Sequence, residues 1–98
     1  MKSEKILEVL AVYECRLLKE GVPKNRMDPK RTFESLTKEE RLMHAYFLID
    51  GAKWLATSPD KQGKAGRHLG AIQMCLSFAG WYTLEELMNH NRPPENST

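Results

Sequence analysis

Residues 37–57 read TKEERLMHAYFLIDGAKWLAT. The opening Thr37-Lys38-Glu39-Glu40 is a capping box, in which the Thr37 hydroxyl accepts the Glu40 amide and the Glu40 carboxylate accepts the Thr37 amide. Two of the donors orphaned at a helix start are satisfied in this way, so a helix is predicted over about 38–56. Leu42, Ala45, Tyr46, Ile49, Ala52 and Ala56 form one apolar stripe on it. Met43, Phe47 and Trp54 form a second, and Leu48 and Leu55 fall on a third side. His44, Asp50 and Lys53 are almost the only polar surface in its C-terminal two-thirds. A helix so short of polar circumference is central or lies in an interface.

Downstream, TSPDKQ interrupts the pattern, and Pro59 with Ser58 or Asp60 reads as the start of a third helix over about 60–79. Its core face carries Ala65, Leu69, Ile72, Leu76 and Ala79, and Gly80 stands where helices turn left-handed to stop. Thr83-Leu84-Glu85-Glu86 is a second capping box, opening a short helix over about 84–90 with Leu84, Leu87 and Met88 inward. Upstream, Ile6, Leu7, Leu10, Tyr13, Leu17 and Leu18 recur at helical spacing behind Ser3, a candidate N-cap, and predict a first helix over about 3–20. Gly21 and Pro23 end it. Residues 21–36 are expected to form a long loop, with Asp28-Pro29 as one helical turn inside it.

No stretch alternates with period two, so the fold class is all-α: a compact bundle of three main helices plus a short C-terminal helix. One helical domain is expected over residues 1–92, followed by a flexible, proline-rich tail over 93–98. With 98 residues the chain supports a single core. Apolar residues make up 41% of it and charged residues 29%, which excludes the disordered class. Glu4, Glu8 and Glu14 within the first apolar run exclude a secretory leader, and no run approaches the ~20 residues that span a bilayer. A cytoplasmic location, without membrane contact, is the expectation.

Three glycines, Gly63, Gly66 and Gly70, sit among Lys61, Lys64, Arg67 and His68. A phosphate loop would need a glycine at Ser58 and a hydroxyl at Ala65, and it would follow a strand. The G-x-x-G match at 63–66 likewise lacks the strands of a KH domain. Anion binding at this helix start would need its cations to converge, whereas 100° per residue sends Lys61 and His68 away from Lys64 and Arg67. On the same wheel Gly63, Gly66, Gly70 and Ser77 align into a smooth stripe, which lets a second helix approach closely.

Histidines 44, 68 and 90 lack partners at metal-ligand spacing, and no cofactor motif is present. Cys15 and Cys75 fall on apolar faces and read as buried and inert. NHNR, residues 89–92, is a polar helix end. The net charge of +2 would support nucleic-acid binding only through clustering.

Arg67, Leu69, Ile72, Gly80 and Thr83-Leu84-Glu85-Glu86-Leu87 resemble the helix, glycine and capping box of mercury-resistance-type regulators, with one extra residue before the glycine. The winged helix of those proteins has no counterpart here. GKAGRHLGAIQ (63–73) with GWYTLEELMNHNRP (80–93) resembles uncharacterised small helical proteins encoded in bacteriophage and prophage genomes, which implies such a source and action by contact.

The expected function is that of a non-enzymatic interaction protein, a homo-oligomer (dimer) that also binds an unknown protein partner. Met43, Phe47, Trp54, Gly66, Gly70 and Phe78 are the candidate assembly residues, and Trp81 and Tyr82 the candidate partner contacts, with capping of the core as the alternative role of these two aromatics. The rival expectation is a nucleic-acid-binding protein using Lys24, Arg26, Lys30 and Arg31 of the loop with Lys64 and Arg67.

Overall fold

Thr37 and Glu40 make the reciprocal bonds that their spacing predicts. In a computed structural model, which describes residues 2–92, the Glu40 amide donates to Thr37 Oγ1 at 3.1 Å and the Thr37 amide to Glu40 Oε1 at 2.8 Å. The expected tail over 93–98 lies outside the described residues. All regular structure among the described residues is helical: α1 Ser3–Lys19, a single 3-10 turn Phe33–Ser35, α2 Lys38–Thr57, α3 Gln62–Phe78 and α4 Leu84–Asn91. The second capping box opens α4 with the same two distances, 3.1 and 2.8 Å, between Thr83 and Glu86.

Both predicted glycine stops are left-handed, Gly21 at φ 72° and Gly80 at φ 84°. At the end of α1 the Gly21 amide donates to Leu18 O and the Val22 amide to Leu17 O. The end of α3 repeats the pattern, with Gly80 to Ser77 O and Trp81 to Leu76 O. These paired bonds satisfy two of the last free carbonyls at each end, and the residue after each glycine, Val22 and Trp81, packs against the core.

Three start signals differ from expectation. Ser3 is already helical, and the extended residue before the helix is Lys2 (φ −72°, ψ 149°), whose ammonium has no acceptor to offer the first amides. Asp28-Pro29 makes a turn and no helix: the Lys30 amide donates to Asp28 Oδ1 and the Arg31 amide to Asp28 O. The helical turn forms four residues later, at Phe33–Ser35, where Thr32 Oγ1 accepts the Ser35 amide. Pro59 does not open α3 either. Ser58 closes α2, Pro59 and Asp60 turn the corner with Asp60 at φ 66°, and α3 starts behind Lys61 with no side-chain cap. The chain has to reverse there within four residues, and a left-handed Asp60 accomplishes that where a helical one would not.

α2 and α3 form an antiparallel pair with the most extensive contact in the molecule, and α1 packs across both. The Arg41 guanidinium lies 5.4 Å from the Phe78 ring centre, setting the first turn of α2 beside the end of α3. Ile6, Leu10, Tyr13 and Leu17 of α1, Ala45, Ile49 and Ala52 of α2, and Leu69, Ile72 and Leu76 of α3 are buried together. Leu55 is buried as well, and Leu48 packs against this core, so the third apolar side of α2 is used inside the chain. Cys75 is buried, and burial pushes its thiol up to about 11. Cys15 is exposed, contrary to expectation, because α1 directs Tyr13 and Leu17 inward and turns Cys15 out between them.

Candidate interaction surface

Loop residues 21–36 form a strap that crosses the outer face of α2. Lys24 Nζ pairs with Asp50 at 3.1 Å and lies 4.9 Å from the Tyr46 ring centre. Farther along, the Asn25 amide reaches Met43 O at 3.4 Å and the Met27 amide donates to His44 Nδ1 at 3.3 Å. Arg31 then pairs with Glu40 at 2.7 Å, and Arg41 donates to Phe33 O through Nε at 3.0 Å and a terminal nitrogen at 2.8 Å. The Thr37 amide and the Arg31 guanidinium together hold the Glu40 carboxyl below its ordinary value.

Between strap and helix lies a cleft of about 520 Å³. Its apolar walls include Met27, Phe33, Leu36, Phe47 and Leu48, with His44 among them. The His44 imidazole stacks on Phe47 (centres 6.0 Å, planes 18° apart) and tilts against Phe33 at 6.0 Å. Because Nδ1 accepts the Met27 amide, the neutral ring carries its proton on Nε2. Burial, and then the nearby Arg26 cation, lower the proton affinity of this ring. Arg26 is exposed at the rim and, among the described residues, makes no ion pair or hydrogen bond.

The strap divides the expected assembly residues. Met43 is half-buried and Phe47 is 40% exposed, both where the strap crosses, whereas Trp54, one turn beyond Asp50, is 64% exposed. On α3, Met74 is 42% and Phe78 62% exposed. No atom outside the local helix comes within 4 Å of a Cβ built on Gly66 or Gly70. Among the described residues no other helix therefore lies against Gly66 and Gly70.

The basic residues of the rival reading are dispersed. Lys24 and Arg31 are in ion pairs, while Arg26 and Lys30 stay near the strap. Lys64 and Arg67 are exposed on the first two turns of α3, beside the far end of α2 and roughly 20 Å along its axis from the Arg31–Glu40 pair at ~1.5 Å per residue.

Trp81 and Tyr82, the expected partner contacts, are half-buried against the core. The Arg16 guanidinium covers both, 4.2 Å from the Trp81 ring centre and 5.0 Å from that of Tyr82. Tyr82 also packs on Tyr13 at 5.5 Å and edge-on to His90 at 4.8 Å. Gly80 turns the chain back over the α1 end of the core, and both rings cap it there while keeping part of their surface open.

The polar helix end at 89–92 joins a network absent from the sequence reading. Gln73 Nε2 donates to Tyr13 Oη at 2.9 Å and to Asn91 Oδ1 at 2.7 Å, while Asn91 Nδ2 donates back to Gln73 Oε1 at 3.1 Å. Tyr13 Oη, which accepts from Gln73, also shares a hydrogen bond of 2.8 Å with His90 Nδ1. Burial raises the Tyr13 phenol to about 12, so it remains a donor at neutral pH. A glutamine midway along an apolar helix face, in a chain that also places Tyr13 at a core position, was the available signal.

Among the described residues no three His, Cys, Asp or Glu side chains converge as metal ligands, and no described helix is long and apolar enough to cross a membrane. No family model, curated protein or solved structure matches the chain. The functional reading accordingly rests on the side chains themselves.

Proposed function

We propose that this chain, a compact bundle of three main helices plus a short C-terminal helix, acts by protein contact in a cytoplasm and assembles with itself through the outer faces of α2 and α3. The observation that carries the reading is the uncovered apolar surface on the two central helices: Trp54, Met74 and Phe78 stand 64%, 42% and 62% exposed. On α3, Gly66 and Gly70 leave a smooth path with nothing against it among the described residues. A helical glycine costs about 1 kcal/mol relative to alanine, and a helix from a second copy would recover that through close approach. Met43 and Phe47, partly under the strap, contribute less to this contact than Trp54.

The nucleic-acid alternative has weaker support. Between Lys24 and Asp50 the sequence carries six cationic and five acidic side chains, a nearly balanced surface where phosphate binding requires a concentrated positive one. The phage or prophage source belongs to the same proposal and rests on the resemblance of residues 63–73 and 80–93 alone.

Sedimentation equilibrium over a concentration series up to roughly 1 mM, the weak limit of specific association, tests the assembly. The expected result is a dimer that Trp54→Lys and Phe78→Lys convert to monomer with helicity retained. A monomer across the whole series would sink the proposal.

A further inference from the structure

The cleft beneath the strap is a second surface, which shares Phe47 with the assembly face, and its chemistry is uneven in an informative way. Its walls are apolar, with Phe33, Phe47 and Leu48 open to it. Two donors break that apolarity, the Arg26 guanidinium and His44 Nε2–H, and neither has an acceptor among the described residues. Of the other polar side chains lining it, Arg31 is committed to Glu40 and Ser35 O, and Asp28 accepts the Lys30 amide through one of its two oxygens. An apolar lining with one uncommitted guanidinium and one imidazole N–H matches a ligand that is apolar over most of its surface and carries one anionic group.

We propose that this cleft docks a short segment of a partner protein, in which a leucine or phenylalanine sits beside an aspartate or glutamate. The apolar side chain would enter against Phe33 and Phe47, and the carboxylate would accept from Arg26 and from His44 Nε2–H. Charge complementarity sets the choice of occupant. A nucleic-acid strand presents a phosphate at every nucleotide, whereas the cleft offers, among the described residues, one free cation, with Asp28 on its own rim. The inference deepens the protein-contact reading by naming the partner's chemistry, and it does not depend on the α2–α3 assembly face.

The probe is a synthetic peptide alternating glutamate with leucine and phenylalanine, titrated into the isotopically labelled full chain and followed by amide and imidazole resonances. Controls are the same peptide with glutamine for each glutamate, and a single-stranded oligothymidine. Binding is expected to move the Met27, Phe33, His44 and Phe47 signals and to raise the pH midpoint of His44, since an added carboxylate opposes the effect of Arg26. The glutamine peptide should bind about fivefold to tenfold more weakly, as for loss of one partly exposed charged hydrogen bond. Arg26→Ala, an exposed substitution that leaves the fold intact, should erase that difference.

Equal affinity for both peptides, tighter binding of the oligonucleotide, shifts confined to Trp54 and Phe78, or no shift at roughly 1 mM peptide would each overturn the assignment. Sedimentation of the same sample keeps the two readings apart: a monomer that binds the acidic peptide removes the assembly face and leaves the cleft, and a dimer that ignores it does the reverse.

Discussion

Gln73 is 4% exposed on the core face of α3, and every hydrogen-bonding atom of its amide is used. Tyr13 links it to His90, so removing one hydroxyl orphans a donor and an acceptor together. Tyr13→Phe should therefore cost about 1–3 kcal/mol, read as a lower urea midpoint at unchanged slope. The same phenol titrates near 12 in the fold against 10.0 free. The native state thus keeps a proton that the unfolded chain loses, and stability should fall as pH rises from 10 toward 12, a fall absent in Tyr13→Phe. His44 has the opposite relation to the neutral range. Its proton affinity is lowered in the fold from a free value of 6.5, so its contribution is complete above 6.5 and drains as pH falls below it. His44→Gln should flatten the stability slope below pH 6.5 relative to the parent chain. Neither residue's role was legible locally: Tyr13 and His90 stand 77 positions apart, and His44 owes its tautomer to an amide on the crossing loop.

For the elements, local signals carried far. Both capping boxes and both left-handed glycine stops formed where their residues stand, because each depends on groups within about five positions. Thr83→Ala should destabilise by about 1 kcal/mol and fray α4, which has only eight residues to hold it, seen as lost helical ellipticity. Gly80→Ala meets open space yet must adopt φ 84°, so its cost, about 1–2 kcal/mol, is conformational and appears in thermal unfolding. Gly66→Ala and Gly70→Ala separate monomer from assembly. Both sites are helical with nothing within 4 Å, so alanine should stabilise the monomer by up to about 1 kcal/mol each. If a second helix lies on that stripe, the same methyls should weaken the dimer, and sedimentation beside thermal melting reads both effects. The weaker start signals misled for different reasons: Asp28 uses its carboxylate in a turn, Asp60 is left-handed in the corner, and Ser3 is already inside the helix.

At the scale of the molecule, Arg41 joins three parts: it belongs to α2, donates to Phe33 O and Glu34 O of the strap, and covers Phe78 of α3. Arg41→Ala should loosen the strap more than the core, with faster proteolysis between residues 24 and 36 and little change in helicity. The apolar excess around α2, evident from its sequence, was distributed in a way no wheel could give: Leu48 and Leu55 went to the core, Met43 and Phe47 partly under the strap, and Trp54 to solvent. What the sequence by itself determined is the all-helical class and most element ends, since periodicity and capping act between residues a few positions apart. Only the tertiary structure decided that Trp81 and Tyr82 close the core, that Cys15 faces out, and that residues 21–36 bind across α2 to make a cleft. Burial and long-range hydrogen bonds depend on which elements meet, and that is a property of the packed chain.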